Sequence, residues 1–267
     1  MKIASFESPG VCCCEPPPAF GARPEDPGSS KLVSVARIES VAQAILVPEG
    51  AFMMGSQGLR GDEEPVHRVF ISGFEIAPIP VTRAEYGLYL DATGIDPPPW
   101  WHDPVFSRAR QPVVGVNWPG AVAYCRWLSQ ETGLDIRLPT EAEREKAARG
   151  GLDGAQFPWG NDPAGGGHSR LSGPLEGPDD VATTLPNGYG LFNMADNVHE
   201  WCLDGYHSTY YMDSPVENPC AARNTLRRSA RGGSWRHQIV VTRCAARSSL
   251  PPLLHYSDFG FRWVREI

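Results

Sequence analysis

Apolar positions fall in short bursts separated by turn signals, and their spacing changes along the chain. Ala44-Ile-Leu-Val-Pro48 and Phe52-Met-Met-Gly-Ser56, split by Pro48-Glu-Gly50, read as two strands around a turn. Val66-His-Arg-Val-Phe-Ile71 and Phe74-Glu-Ile76 add strand pieces after the acidic loop Gly61-Asp-Glu-Glu-Pro65. The period then becomes helical. Thr82 with Glu85 three positions on has capping-box spacing, Tyr86, Tyr89 and Leu90 form an apolar face, and Gly94 stops the helix. Pro112-Val-Val-Gly-Val116 reads as a short buried strand. Asn117 then caps a second helix, with Pro119 in its first turn. Val122, Cys125 and Leu128 share a face of that helix, Ala121, Tyr124 and Trp127 lie beside it, and Gly133 ends it. Thr140 and Glu143 repeat the box for a third helix, stopped by Gly150-Gly151.

Residues 95–112, 152–189 and 203–226 read as loops, with Phe157-Pro-Trp-Gly160 as an aromatic anchor. From Arg231 to Trp263 short apolar pieces alternate with polar ones and predict a return to strands. Residues 1–40 carry Glu15-Pro-Pro-Pro18 and Ala22-Arg-Pro-Glu-Asp-Pro-Gly-Ser-Ser30, with too few apolar side chains to bury. They predict a flexible leader before a domain at 41–267.

The densest chemistry lies in Gly190-Leu-Phe-Asn-Met-Ala-Asp-Asn-Val-His-Glu-Trp201. Asn193, Asp196, Asn197 and Glu200 bring oxygens that must find partners once the neighbouring apolar residues are buried. A hard cation such as Ca²⁺ satisfies several oxygens at once. The hydrogen bonds of Asx-turns do the same without an ion. Residues alone leave both readings open.

Composition narrows the class. With 28 glycines and 26 prolines in 267 residues, long helices cannot dominate. A net charge of −7 disfavours nonspecific nucleic-acid or anionic-membrane partners, and no run approaches the length of a membrane span. The seven cysteines (Cys12, Cys13, Cys14, Cys125, Cys202, Cys220 and Cys244) form no Cys-x-x-Cys pair with a matching partner, so structural zinc is not expected. The N-terminus lacks the apolar core of a secretory signal, and cytoplasmic location with reduced thiols is the expectation. The arginines at 223, 227, 228, 231, 236, 243 and 247 are expected to pair with glutamates such as Glu141, Glu143 and Glu200.

A series of phrases in fixed order resembles the formylglycine-generating enzyme family, also called the sulfatase-modifying factor domain. They are Phe52-Met-Met-Gly-Ser56, Pro80-Val-Thr82, Gln111-Pro-Val-Val-Gly-Val116, Arg137-Leu-Pro-Thr-Glu-Ala-Glu143 and Phe157-Pro-Trp-Gly160. Asn187-Gly-Tyr-Gly-Leu191, Asn197-Val-His-Glu-Trp201, Arg231-Gly-Gly-Ser-Trp235 and Gly260-Phe-Arg262 complete the series. The resemblance implies an α+β fold, a variant of the C-type lectin fold with few short helices, short strands and much irregular structure. It also implies a structural calcium site, with the side chains of Asn193 and Glu200 and the carbonyls of Asp196 and Val198 as ligands. Asp196 stands where the family usually has glycine, and Arg144 where it usually has tryptophan. A second family calcium site draws on residues 168–180, where this sequence matches poorly.

The family's copper(I) chemistry uses two cysteines shortly after the Gly-Gly-Ser phrase. Here that segment reads Trp235-Arg-His-Gln-Ile-Val-Val-Thr-Arg-Cys244, so the pair is missing and copper is not expected. Cys244 matches a structural family cysteine instead. The resemblance then implies an oxidoreductase-like or protein- or small-molecule-modifying enzyme that does not use the copper–cysteine mechanism. Wider relatives resemble non-haem iron oxidases, sulfoxide synthases and pyoverdine-maturation proteins. His199 replaces a tryptophan of the family's cleft, and His237 lies three residues after the cleft serine, Ser234. These three are the candidate catalytic residues, with iron the candidate redox ion. Two alternatives stand beside this one. One is a protein- or ligand-binding module displaying variable loops at 236–242 and 248–259, as in diversity-generating retroelement proteins. The other is a non-catalytic accessory or scaffold domain.

Overall fold

The computed structural model describes residues 38–165, 176–237 and 241–267. The expected leader up to residue 37, with Cys12, Cys13 and Cys14, lies outside the described residues, as do 168–175 of the second calcium region and 238–240 of the first variable window.

Among the described residues, three small sheets and four α-helices make an α+β fold. Strands β1 (Ile45–Val47), β4 (Phe74–Ile76), β5 (Ile136–Arg137) and β10 (Val264–Glu266) form an antiparallel sheet in the order β1-β4-β10-β5. Strands β2 (Gly50–Met54) and β3 (His67–Ile71) pair as a hairpin-like ribbon. The third sheet carries the site. Its strands are β6 (His199–Gly205), β7 (Arg228–Arg231), β8 (Ser248–Leu250) and β9 (Phe259–Gly260), in the order β8-β7-β6-β9. There β6 pairs antiparallel with β7 and parallel with β9, setting His199 opposite Phe259 and Glu200 opposite both Gly260 and Arg231.

The helices follow the cap chemistry. After the single turn α1 (Glu39–Ala42), α2 (Arg83–Thr93) starts on a complete Thr82/Glu85 capping box and ends on left-handed Gly94. Asn117 caps α3 (Trp118–Thr132), which ends on left-handed Gly133. Thr140 and Glu143 box α4 (Glu141–Arg149), which ends on left-handed Gly150. Between α2 and α3 the rings of Tyr86, Tyr89, Tyr124, Trp127 and Phe261 pack at centroid distances of 5.2–6.3 Å. Phe157 and Trp159 stack at 5.2 Å, the aromatic anchor expected of that loop.

Two expectations need correction. Residues 112–116 are buried in their apolar members but form only an isolated bridge, Thr82 to Pro112, because Gly115 turns into the left-handed region at φ 74°. The chain from 203 is not loop at its start, since β6 runs to Gly205.

Helix α4 governs the polar interior. All nine of its residues are buried, yet only Ala142, Ala147 and Ala148 are apolar. A buried charge needs a partner, and each has one. Glu141 takes Arg247 at 2.7 Å and Arg231 at 3.0 Å; Glu145 takes Arg149 at 2.6 Å and Arg231 at 2.9 Å. Lys146 caps the carbonyls of Pro48 and Gly50 at 2.6 and 2.9 Å. Nearby, Glu63 receives both arms of Arg243 at 2.7 and 2.8 Å. The expected arginine–glutamate pairing therefore holds at Arg231, Arg243 and Arg247, whereas Glu143 pairs with Arg137 and Glu200 with Arg144 and Arg262.

Burial alone would raise the Glu141 carboxyl, but Arg247 and Arg231, with hydrogen bonds from Arg247 and Ser229, hold it down to about 2. In the unfolded chain the group titrates near 4.5. A depressed carboxyl contributes stability that is full above the unfolded value and disappears as pH falls through the folded one. Urea unfolding at a series of pH values should show stability falling from about 4.5 towards 2, with a shallower slope in Glu141→Gln. Equal slopes would remove Glu141 from the acid-sensitive set.

Candidate metal centre

Strand β6 sends successive side chains to opposite faces of its sheet. His199 and Trp201 face the β9 side, where both rings meet Phe259 at 4.8 and 5.0 Å. Glu200, between them, faces α4. Two different polar sites therefore sit back to back on adjacent residues.

On the His199 face, four side chains converge from three places. The backbone N–H of His199 bonds the Asp258 carbonyl at 2.9 Å, which brings the residue before β9 alongside the start of β6. Ser234 and His237 arrive on the turn after β7, closed by the His237 N–H to the Ser234 carbonyl at 2.9 Å. His199 Nε2 lies 3.1 Å from His237 Nδ1. The Ser234 hydroxyl donates to Asp258 Oδ2 at 3.0 Å and lies 3.1 Å from the same His237 Nδ1. Ligand atoms of His199, His237 and Asp258 all lie within 4.8 Å of one another.

His199, Ser234 and Asp258 are buried and His237 is half-buried. Burial, with the His237 ring beside it, drives the His199 imidazole down to about 3, so the ring is neutral at physiological pH. A neutral imidazole has a lone pair to give to a metal. Its Nδ1 is buried without a hydrogen-bond partner among the described residues. Phe106, Val114, Val198 and Trp235 form an apolar cluster near the site.

The expected catalytic trio Ser234, His199 and His237 is thus brought together. Asp258 is the member that the sequence reading missed. The polar pair Ser257-Asp258 beside an apolar strand was a faint signal, but only the parallel β6–β9 register puts it against His199. The order of contacts argues against a nucleophilic serine triad. There the acid orients histidine, whereas here Asp258 accepts from the serine. Two imidazoles and one carboxylate so grouped could hold a metal ion, and this combination of donors is of the type that suits non-haem iron. The 3.1 Å histidine spacing suits adjacent ligands of one ion, given metal–nitrogen bonds of about 2.0–2.1 Å. Ser234, bonded to Asp258 and 3.1 Å from His237, is placed to orient both side chains.

Among the described residues, no cysteine enters this site. Cys244 and Cys202 are buried, and burial pushes the Cys244 thiol up to about 12, so it is held as an inert protonated group. The backbone carbonyl of Cys244 accepts from Arg231 at 3.1 Å.

The opposite face holds the residues expected to bind calcium. Asn193 and Asn197 take left-handed angles, φ 54° and 71°, which asparagine tolerates, and they fold the turn before β6. Asn193 Oδ1 accepts from the Ala182 N–H at 3.0 Å, and its Nδ2 donates to Asp196 Oδ1 at 3.2 Å. The Asp196 carbonyl accepts from the Val198 N–H at 2.9 Å. Glu200 is wholly buried between the guanidinium groups of Arg144 and Arg262.

A family model described as sulfatase-modifying factor enzyme 1-like domain matches residues 29–267. A formylglycine-generating enzyme of Streptomyces coelicolor is 33% identical over 308 residues, covering 92% of this chain and 96% of the relative. Among solved structures, PvdO from Pseudomonas aeruginosa superposes with a TM-score of 0.73 at 29% identity, covering 84% of this chain and 94% of that one. Variable protein 1 of Treponema denticola superposes at 0.75 with 24% identity, covering 84% of this chain and 95% of that one, a likeness of fold. The α+β architecture expected from the sequence is the one these relatives share. The chain belongs to the formylglycine-generating enzyme, or sulfatase-modifying factor enzyme 1-like, family.

Proposed function

We propose that the protein is an oxidoreductase-like enzyme of this family, acting on a protein or small-molecule substrate through a transition-metal ion held by His199, His237 and Asp258. The convergence of those three ligand atoms within 4.8 Å carries this reading. The missing cysteine pair argues against copper(I), and the nitrogen–oxygen donor set favours iron(II) or a similar ion. When bound, such an ion supplies dioxygen activation for oxidation of the substrate.

The chain's own residues then have definite tasks. His199, kept neutral by burial and packed on Phe259, presents its nitrogen without a competing proton. Asp258 brings the one negative charge among the three ligands. Ser234 fixes the Asp258 carboxylate and faces His237, limiting the rotamers of both. Trp235 and Phe106, with ring centroids 6.3 Å apart, help exclude water from one side.

The test is metal binding by purified protein under anaerobic conditions, with iron(II) for retention and cobalt(II) for its visible spectrum. Wild type should hold one ion with a ligand-field spectrum, and His199→Ala/His237→Ala should lose both the ion and the spectrum. Equal binding by the double variant, or none by wild type, would overturn the reading. A subtler variant, Ser234→Ala, should weaken metal affinity by about 10–100-fold while the far-UV spectrum stays unchanged. Unchanged affinity would remove Ser234 from the ligand-orienting role.

A further inference from the structure

On the face of β6 away from the histidines, we infer that the Arg144 guanidinium takes the place of the family's structural calcium ion, so that the turn before β6 is held without a divalent cation. The inference is independent of the metal proposed at His199. It starts from the hydrogen-bonding capacity of Glu200. Oε2 accepts from Arg144 Nε at 2.8 Å and from Arg262 Nε at 2.7 Å. Oε1 accepts from Arg144 Nη2 at 3.1 Å and from Arg262 Nη2 at 2.8 Å. A carboxylate has about four lone-pair sites, and all four are used. Nothing is left to offer a calcium ion, which needs six to eight oxygens around it.

The turn that carries the other expected ligands is tied down by the same two arginines. Arg144 Nη2 reaches the Met194 carbonyl at 3.0 Å, and Arg262 Nη2 reaches the Phe192 carbonyl at 2.9 Å. These two bonds tie the 192–194 turn to the buried carboxylate, which is the task of a bridging cation. Asn193 spends its side chain inside the turn, on Ala182 and Asp196. Space is filled as well. Gly232, at φ 103°, leaves room where a Cβ would come within 2.9 Å of Arg144 Nη2 and 3.7 Å of the Val198 carbonyl. The guanidinium is therefore packed against Gly232, whose far side lies near the Val198 oxygen.

Charge explains why Arg144 and Asp196 depart from the family pattern together. Two guanidinium groups against Glu200 alone would leave an excess positive charge in a buried place. Burial works most strongly against the Arg262 charge and Glu200 opposes that; Asp196 adds a smaller pull in the same sense as Glu200, and so supplies a second negative charge. Arg144, Arg262, Glu200 and Asp196 then balance. Adding a doubly charged ion beside two fixed guanidinium groups would cost electrostatic energy on top of the lost hydrogen bonds.

The experiment is thermal unfolding of the full chain, first stripped of metal with EDTA and then measured without and with millimolar Ca²⁺, for wild type and Asn193→Gly. Glycine at 193 keeps the left-handed backbone and removes the side-chain ligand. Wild type should melt at the same temperature in both buffers, since an ion that binds only the folded state raises the melting temperature. A calcium-dependent rise that Asn193→Gly leaves intact places an ion elsewhere and keeps the proposal. A rise that Asn193→Gly abolishes overturns it. Should that variant not fold, any calcium-dependent rise in wild type counts against the proposal.

Discussion

A carboxylate taken out of water must be met on every lone pair, and Glu200 is met by four arginine N–H groups. Its two arginine partners come from α4 and from the segment between β9 and β10, and both also reach backbone carbonyls of the turn before β6. One acidic side chain thus connects a helix, two sheets and an irregular turn that share few backbone hydrogen bonds. Breaking such a pair by removing one partner typically costs about 3–5 kcal/mol, because the survivor is left charged and buried. The same device recurs at Glu141, Glu145 and Glu63, all clasped by arginines. For a chain of short strands and long loops, these buried ion pairs do much of the work that continuous sheets do elsewhere.

The rigidity of that interior has a consequence on the other side of β6. Because a strand alternates its faces, fixing Glu200 fixes the direction of His199. The parallel pairing of β6 with β9 then brings Asp258, and the tight turn after β7 brings Ser234 and His237. The candidate metal centre is therefore assembled on backbone that the arginine–glutamate pairs hold in place. On the two proposals made above, the family's structural cation position is taken by a guanidinium and its thiol-based redox site by imidazole and carboxylate groups.

Local signals were legible in the sequence wherever the physics is local. The capping boxes at Thr82 and Thr140, the Asn117 cap and the glycine stops at 94, 133 and 150 all stand where their residue types require. Pairing across the chain was not legible. Nothing in residues 112–116 announces that Gly115 would break the extended run. Asp258 lies far in sequence from His199, and only strand register joins them. Arg144 stood out only as a departure from the family's tryptophan, because its meaning depends on Glu200, a partner that no helical period reveals. His199, His237 and Ser234 were singled out through their place in family phrases, and the structure adds the geometry that groups the two histidines with Asp258 and bonds Ser234 to that carboxylate.

The account stands or falls on where cations sit relative to β6. Anomalous diffraction from crystals of the full chain grown with Mn²⁺, an ion that accepts both imidazole and carboxylate ligands, addresses this directly. The account predicts a peak bounded by His199, His237 and Asp258, and none beside Glu200. A peak between Asn193 and Glu200, or an empty cleft at the two histidines, would contradict it.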